Sequence, residues 1–139
     1  MIRAMENTDA SQAADLWLAA NTEAHSFIPA SYWREHYEAV KGMFLQAEVY
    51  VWEEKGCVLG FVGLNGHHIE GIFVAGDARS RGIGKGLLDF VKERKRPLSL
   101  NVYRKNPRAI RFYEREGFVT VEEGLDEGTG EPDLFMKWE

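Results

Sequence analysis

Between residues 79 and 86 the chain reads Arg79-Ser80-Arg81-Gly82-Ile83-Gly84-Lys85-Gly86, three cations threaded through three glycines at alternate positions. Glycine lacks a Cβ, so a ligand can approach the backbone closely and φ > 0 becomes accessible. A helix that begins here aims its free N–H groups and the positive end of its dipole at an anion. Arg79, Arg81 and Lys85 bring side-chain charge to the same place. The combination suits a phosphate or pyrophosphate. Two familiar phosphate loops do not match it. A nucleoside-triphosphate loop needs Gly-Lys-Ser/Thr, and Lys85 is followed by Gly86. A dinucleotide fingerprint follows the first strand, whereas this turn follows the fourth expected strand.

The elements that must position the turn are legible from periodicity. Residues 2–6 read as a strand. Thr8 or Asp9 then caps a helix through Ala20, in which Ala13, Leu16, Trp17 and Ala20 share one face. Residues 22–26 read as a loop. A second helix starts near Ser31 and stops around Gly42, with Tyr32, Trp33, His36, Tyr37 and Val40 as its stripe. The period then becomes strand-like. Residues 49–52, 58–64 and 69–74 make three antiparallel strands, turned at Glu54-Lys55-Gly56 and at Asn65-Gly66. After the glycine turn comes a helix with Ile83, Leu87, Leu88 and Val91 on one face, and then a strand over 98–102. A helix over 109–116 ends at Gly117, and strands over 118–121 and 134–138 flank a loop at 124–130. The order β-α-α-β-β-β-α-β-α-β-β predicts a mixed α/β (α+β) sheet with helices on its faces.

Composition narrows the function classes. The chain has 139 residues, which predicts a single domain over 1–139. Its 17 Lys+Arg against 22 Asp+Glu leave a formal net charge of −5, so no concentrated basic face is expected for nucleic acid. The basic turn at 79–85 therefore opposes the global sign, as an anionic cofactor requires. The run Lys92-Glu93-Arg94-Lys95-Arg96 reads as the cationic end of a helix rather than a nucleic-acid or localisation signal. No stretch approaches the ~18 consecutive apolar residues of a membrane span, and residues 1–6 lack a signal-peptide pattern. A cytoplasmic protein without membrane partners is the expectation. Cys57, the single cysteine, is expected as a small buried hydrophobe at a strand start. With His67 and His68 it lacks metal-ligand spacing, so no metal is expected.

Arg79-x-x-Gly82-x-Gly84 resembles the Arg/Gln-x-x-Gly-x-Gly/Ala signature of the GNAT superfamily of acetyl-CoA-dependent N-acetyltransferases. A second block over residues 106–118 carries Asn106, Ala109, Phe112, Tyr113, Gly117 and Phe118, and is similar to that family's Asn-x-x-Ala-x-x-Phe-Tyr-x-x-x-Gly-Phe pattern. The phrases Leu16-Trp17-Leu18, His25-Ser26-Phe27-Ile28, Tyr32-Trp33-Arg34 and Val51-Trp52-Glu53-Glu54 resemble a group of small bacterial members associated with lysine acetylation. The resemblance implies a sheet whose fourth and fifth strands part to admit the cofactor. It implies that Gly82, Ile83, Gly84, Lys85 and Gly86 present N–H groups to the coenzyme A pyrophosphate, beside Arg79 and Arg81. Ile72, Phe73 and Val74 would pair with the pantetheine arm like an added strand. Asn106 would meet the pantetheine or phosphate region, and Tyr113 would point its hydroxyl at the sulfur.

The chemistry supports the tyrosine. Acetyl transfer needs a neutral amine, an oxyanion donor and a proton for the departing thiolate. A phenol with an ordinary pKa near 10 keeps its proton at neutral pH and can donate it. Phe112 and Tyr113 lie about 100° apart on a helix, so a single core centre takes one of them. The base is open: Glu70 stands one strand-face alternation before Ile72, and His25, His67 and His68 compete because imidazole titrates near neutrality. His25 lies in a loop that in this family borders the acceptor, which places Phe27 and Trp33 there too, with Tyr37 and Trp52 as further aromatics. Asn101, polar between Leu100 and Val102, contacts cofactor or substrate or satisfies a sheet bond. No Cys or Ser stands in a nucleophile setting, which favours direct attack by a primary amine in a ternary complex. The acceptor is a protein lysine, an N-terminus or a small-molecule amine, and the acidic surface leans toward a cationic one. Alternatives are a non-catalytic coenzyme A sensor or interaction module, and a different acyl-CoA donor. The chain is expected as a monomer or homodimer.

Overall fold

Two tight turns nucleate the centre of the sheet. Between β2 (Glu48–Glu54) and β3 (Cys57–Asn65), Lys55 and Gly56 both take positive φ, 53° and 80°. Between β3 and β4 (His68–Val74), Gly66 does so at 62°. Such primed turns match the twist of the strands they join. The computed structural model describes residues 1–79 and 81–139; Ser80 of the glycine turn lies outside them.

A seven-stranded sheet forms in the order β1-β2-β3-β4-β5-β7-β6, with β1 at Ile2–Ala4, β5 at Leu98–Tyr103, β6 at Val119–Leu125 and β7 at Pro132–Trp138. Helices α1 (Ala10–Ala24), α2 (Ala30–Phe44), α3 (Ile83–Lys92) and α4 (Pro107–Arg115) complete the expected element order. Adjacent residues of β3 divide the core between two sides of the sheet. Phe61 packs with Ala13, Val49, Val51 and Val58 under α1. Val62 packs with Leu87, Leu88, Leu100, Met136 and Tyr113 under α3 and α4. Gly60 brings α3 close, because a Cβ there would stand 2.9 Å from Ile83 Cγ2 and 3.0 Å from the Phe73 carbonyl oxygen.

The sheet has one parallel step. β4 and β5 share only the pairs His68↔Ser99 and Ile69↔Leu100. Beyond Ile69, β4 continues to Val74 paired with β3 alone, and β5 continues to Tyr103 paired with β7. The two strands therefore part along half their length, the opening that the resemblance implied.

Several boundaries and burials differ from expectation. Helix α1 extends to Ala24, so Thr22, Glu23 and Ala24 are helical rather than loop. Asp9 occupies the N-cap position of α1 without capping it. Its carboxylate accepts from Glu6 N–H (2.8 Å) and from Arg3 (2.7 and 3.1 Å), which holds it well below the usual carboxylate range. Of the expected stripe on α2 only Trp33 is buried, since α2 packs on the outer side of α1, where Trp17 meets Trp33 edge-on at 5.6 Å. Cys57 is exposed, not buried, because the first residue of β3 sits at the rim beside the 55–56 turn. β6 runs through Leu125, beyond the expected stop at 121. Among the described residues no helix is long and apolar enough to cross a membrane.

Candidate active site

A cavity of about 810 Å³ opens where β4 leaves β5, walled by the C-terminal turns of α1, the start of α3 and one face of α4. Ile72, Phe73 and Val74 line it from the unpaired half of β4, and Arg79, Gly82, Gly84 and Lys85 from the glycine turn. Gly82 caps α3 at φ 80°, a conformation open to glycine at little cost. Among the described residues no carbonyl accepts from the first-turn N–H groups of Ile83, Gly84 or Lys85, as at the start of any helix. Gly86 does not offer its N–H as expected, because that group donates to the Gly82 carbonyl at 2.9 Å within the first turn of α3. The Ile83 side chain is buried in the core, and a Cβ on Gly86 would stand 2.7 Å from the Trp52 ring.

The cations of the turn are paired with acids. Arg79 meets Glu23 at 2.7 Å, Arg81 meets Glu54 at 2.9 Å, and Lys85 meets Asp89 at 2.9 Å and Glu116 at 3.4 Å. Arg81 lies outside the cavity lining. The uncommitted charge comes instead from α4. Arg108, Arg111 and Arg115 line the cavity, are exposed, and have no carboxylate within 4.0 Å among the described residues. Their 3- and 4-residue spacing, already present in the sequence, puts them on one helix face. Lys105 joins them on the cavity wall, with Glu131 3.0 Å away.

Tyr113 stands on the same helix, 8% exposed and part of the cavity wall, with Phe112 and Phe118 edge-on at 5.1 and 5.7 Å. Burial pushes its phenol pKa up, which keeps the proton on the hydroxyl at neutral pH. Asn106 caps α4, its side chain accepting from Ala109 N–H at 3.2 Å ahead of Pro107 at the first helical position. The other end of that amide meets His25 Nε2 at 3.2 Å. His25 is 9% exposed, and burial pushes its pKa down to about 4.

Glu70 and Asn101 lie outside this cavity. Both are exposed and each directly follows a residue of the last pair in register, on the parted strands. His68 is half-buried, its Nδ1 2.9 Å from Ser99 Oγ, and His67 Nδ1 lies 2.7 Å from the Pro97 carbonyl oxygen. Phe27 lines a second cavity of about 330 Å³ between the start of α2 and the β6–β7 hairpin, with Tyr32, Glu35, Gly128, Thr129 and Glu131. Trp33 is 5% exposed and lines neither cavity; its ring packs on Trp17, Tyr32 and His25, and its indole N–H has no hydrogen-bond partner among the described residues.

A mixed sheet that parts at its parallel step, with a helix N-terminus and an arginine-lined helix facing the gap, is the framework of an acyl-CoA-dependent acyltransferase. This chain belongs to the GNAT acetyltransferase family, whose acetyltransferase (GNAT) domain matches residues 46–120. It is 40% identical over 140 residues to the peptidyl-lysine N-acetyltransferase YiaC of Escherichia coli, covering 99% of this chain and 96% of that one. It is 26% identical over 132 residues to the peptidyl-lysine N-acetyltransferase YjaB of the same organism, covering 94% and 90%. The solution structure of apo-form YjaB superposes with a TM-score of 0.88 at 26% identity, over 99% and 96% of the two chains. The fold also matches the PaiA N-acetyltransferase of Thermoplasma acidophilum in complex with coenzyme A, with a TM-score of 0.82 at 17% identity over 100% and 98%.

Proposed function

We propose that this chain, working as one domain over residues 1–139, transfers an acetyl group from acetyl-CoA to the side-chain amine of a peptidyl lysine by direct attack. The observation that carries the reading is the parting of β4 from β5 beyond Ile69 and Leu100, alongside the basic cavity. The residues present fit an anionic, phosphate-bearing cofactor. Gly82 and Gly84 leave the cavity floor free of side chains, and the first-turn donors of α3, with Arg79, Lys85 and the three arginines of α4, supply the counter-charge. Arg79, Lys85 and Arg81 contribute fully only by loosening their pairs with Glu23, with Asp89 and Glu116, and with Glu54. Ile72, Phe73 and Val74 offer an unpaired strand edge to an extended arm. Acetyl-CoA supplies the activated acetyl group as a thioester and departs as a thiol.

The chain's own residues handle the protons. Tyr113 holds a proton on its buried hydroxyl and gives it to the leaving group. Glu70, at the mouth of the parted strands, takes the proton from the attacking amine, directly or through water, and Asn101 on β5 orients the acceptor. The second cavity suits an alkyl-ammonium side chain, with Phe27 and Tyr32 for the methylenes and Glu35 and Glu131 for the charge. The naming of the YiaC and YjaB relatives as peptidyl-lysine N-acetyltransferases supports this acceptor class.

The test is thiol release from acetyl-CoA with lysine-containing peptides, free N-termini and small amines as acceptors. Turnover highest on internal lysine is the expected result. Tight coenzyme A binding with no turnover on any amine would instead favour a non-catalytic coenzyme A sensor.

A further inference from the structure

His25 packs against Phe27, Trp33 and Tyr103, yet both of its ring nitrogens are engaged. Nδ1 lies 3.1 Å from Asn21 Oδ1 and Nε2 lies 3.2 Å from Asn106 Nδ2. The two amides decide where the ring proton sits, because backbone groups fix the direction of each. Asn21 Nδ2 donates to the Trp17 carbonyl at 2.9 Å, which turns Oδ1 toward the ring. Asn106 Oδ1 accepts from Ala109 N–H at 3.2 Å, which turns Nδ2 toward the ring. Flipping either amide sets like against like, oxygen to carbonyl in one case and N–H to N–H in the other. An acceptor facing Nδ1 and a donor facing Nε2 admit one state: proton on Nδ1, lone pair on Nε2. A doubly protonated ring opposes Nε2–H to the Asn106 amide hydrogens.

The bond joins two elements that are far apart in sequence. Asn21 and His25 close α1, and Asn106 opens α4, the helix that carries Tyr113 and the cavity arginines. We propose that His25 is a positioning residue: its neutral Nε2 holds the Asn106 side chain, and through it the N-cap of α4, in the orientation that sets Tyr113 at the cavity wall. The kinetic part of this inference rests on the acid role proposed for Tyr113. The same geometry removes His25 from the competition for general base, since its one free lone pair is committed to Asn106.

Long-range ¹H–¹⁵N correlation of the ¹⁵N-labelled protein at pH 7 reads the tautomer directly, with the His25 signals assigned by their loss in His25→Gln. Nδ1 is expected protonated and Nε2 bare; the reverse pattern, or a doubly protonated ring, overturns the proposal. Two variants then separate bonding from packing. His25→Phe keeps the aromatic contacts and removes both bonds, and is expected to lower kcat by about tenfold or more. His25→Gln offers a donor and an acceptor again and is expected to recover most of that loss. Wild-type kcat in His25→Phe sinks the positioning role. Should His25→Phe fail to fold, Asn106→Asp preserves the acceptor for Ala109 N–H but turns an oxygen onto Nε2. The ring is then expected to become doubly protonated at pH 7, and an unchanged bare Nε2 overturns the inference. The tautomer needs no acceptor amine, so an inactive wild type would sink the proposed function and leave this result standing.

Discussion

Ile69 and Leu100 are the last residues in register across the parallel β4–β5 step, and Glu70 and Asn101 follow them exposed and no longer paired with each other, Asn101 keeping its register with Phe135 of β7. Glu70 is the unpaired residue at a register shift of β4 against Gly63 and Leu64 of β3, so its carboxylate stands at the fork of the sheet on a strand rather than on a loop. Glu70→Gln is expected to lower kcat by roughly a hundredfold while leaving coenzyme A affinity unchanged, measured by thiol release and calorimetry. Equal kcat in the variant removes Glu70 as base.

Tyr113→Phe deletes one oxygen from a buried ring and should leave the fold intact. We expect kcat to fall by about 10²–10³-fold with little change in KM for acetyl-CoA. Because burial raises the phenol pKa, the wild-type rate should show no alkaline loss from this group near pH 10. A Tyr113→Phe enzyme as fast as wild type would end its assignment as acid.

The three arginines of α4 are the cavity cations without carboxylate partners among the described residues. Replacing Arg108, Arg111 and Arg115 by Gln together should weaken coenzyme A binding about tenfold or more and flatten its salt dependence. Calorimetry at two ionic strengths reads both effects. Unchanged affinity would return the whole counter-charge to the glycine turn.

Gly60→Ala tests how α3 is seated. The new Cβ meets Ile83 Cγ2 at 2.9 Å and, less forgivingly, the Phe73 backbone oxygen at 3.0 Å. A loss of about 1–3 kcal/mol is expected, seen as a lower urea midpoint at constant slope. Stability equal to wild type would show that the strand and helix separate freely.

The buried neutral His25 also sets a pH dependence of stability. Its pKa is about 4 in the folded protein against an ordinary 6.5, so between these values the unfolded chain binds the extra proton. Stability is fully present above pH 6.5 and falls as pH drops toward 4, by up to about 3 kcal/mol from this group. Denaturant titrations at pH 7 and pH 5 should show a smaller difference in His25→Phe than in wild type. The same difference in both would assign the slope to other groups.

Much of the framework was legible because local signals agreed. The turns at Lys55-Gly56 and Gly66 announced themselves by residue type, and the alternation at Phe61 and Val62 split the core as the pleat demands. The order of elements followed from periodicity and turn residues, and the family and the half-strand at Ile72, Phe73 and Val74 from two spaced blocks. What escaped depended on tertiary partners. Cys57 has the composition of a buried residue, but one step along β3 decides between rim and core. The aromatic run of α2 scans as a core stripe, yet the helix docks chiefly on α1, reaching the sheet through Phe44 against Phe61 at its end and leaving His36 at the surface. Lys85–Asp89 is a local i, i+4 helix pair, but the pairing of Arg79, Arg81 and Lys85 with Glu23, Glu54 and Glu116 joins residues up to 56 positions apart, which no local pattern encodes. The bond from His25 to Asn106 spans 81 positions and was invisible for the same reason.

The far margin of the sheet carries its own consequence. β6 is exposed along its whole length, with Val119, Val121 and Leu125 at the surface, which would invite a neighbouring strand to add to it. Register slips between Thr120 and Glu122, and Glu122 and Glu123 follow at once. A kinked ribbon bearing two adjacent carboxylates, Glu123 paired with Arg104 at 3.0 Å, is a poor template for growth, so self-propagating β-assembly is discouraged at this margin. Removing both charges together would convert a finished border into a sticky one.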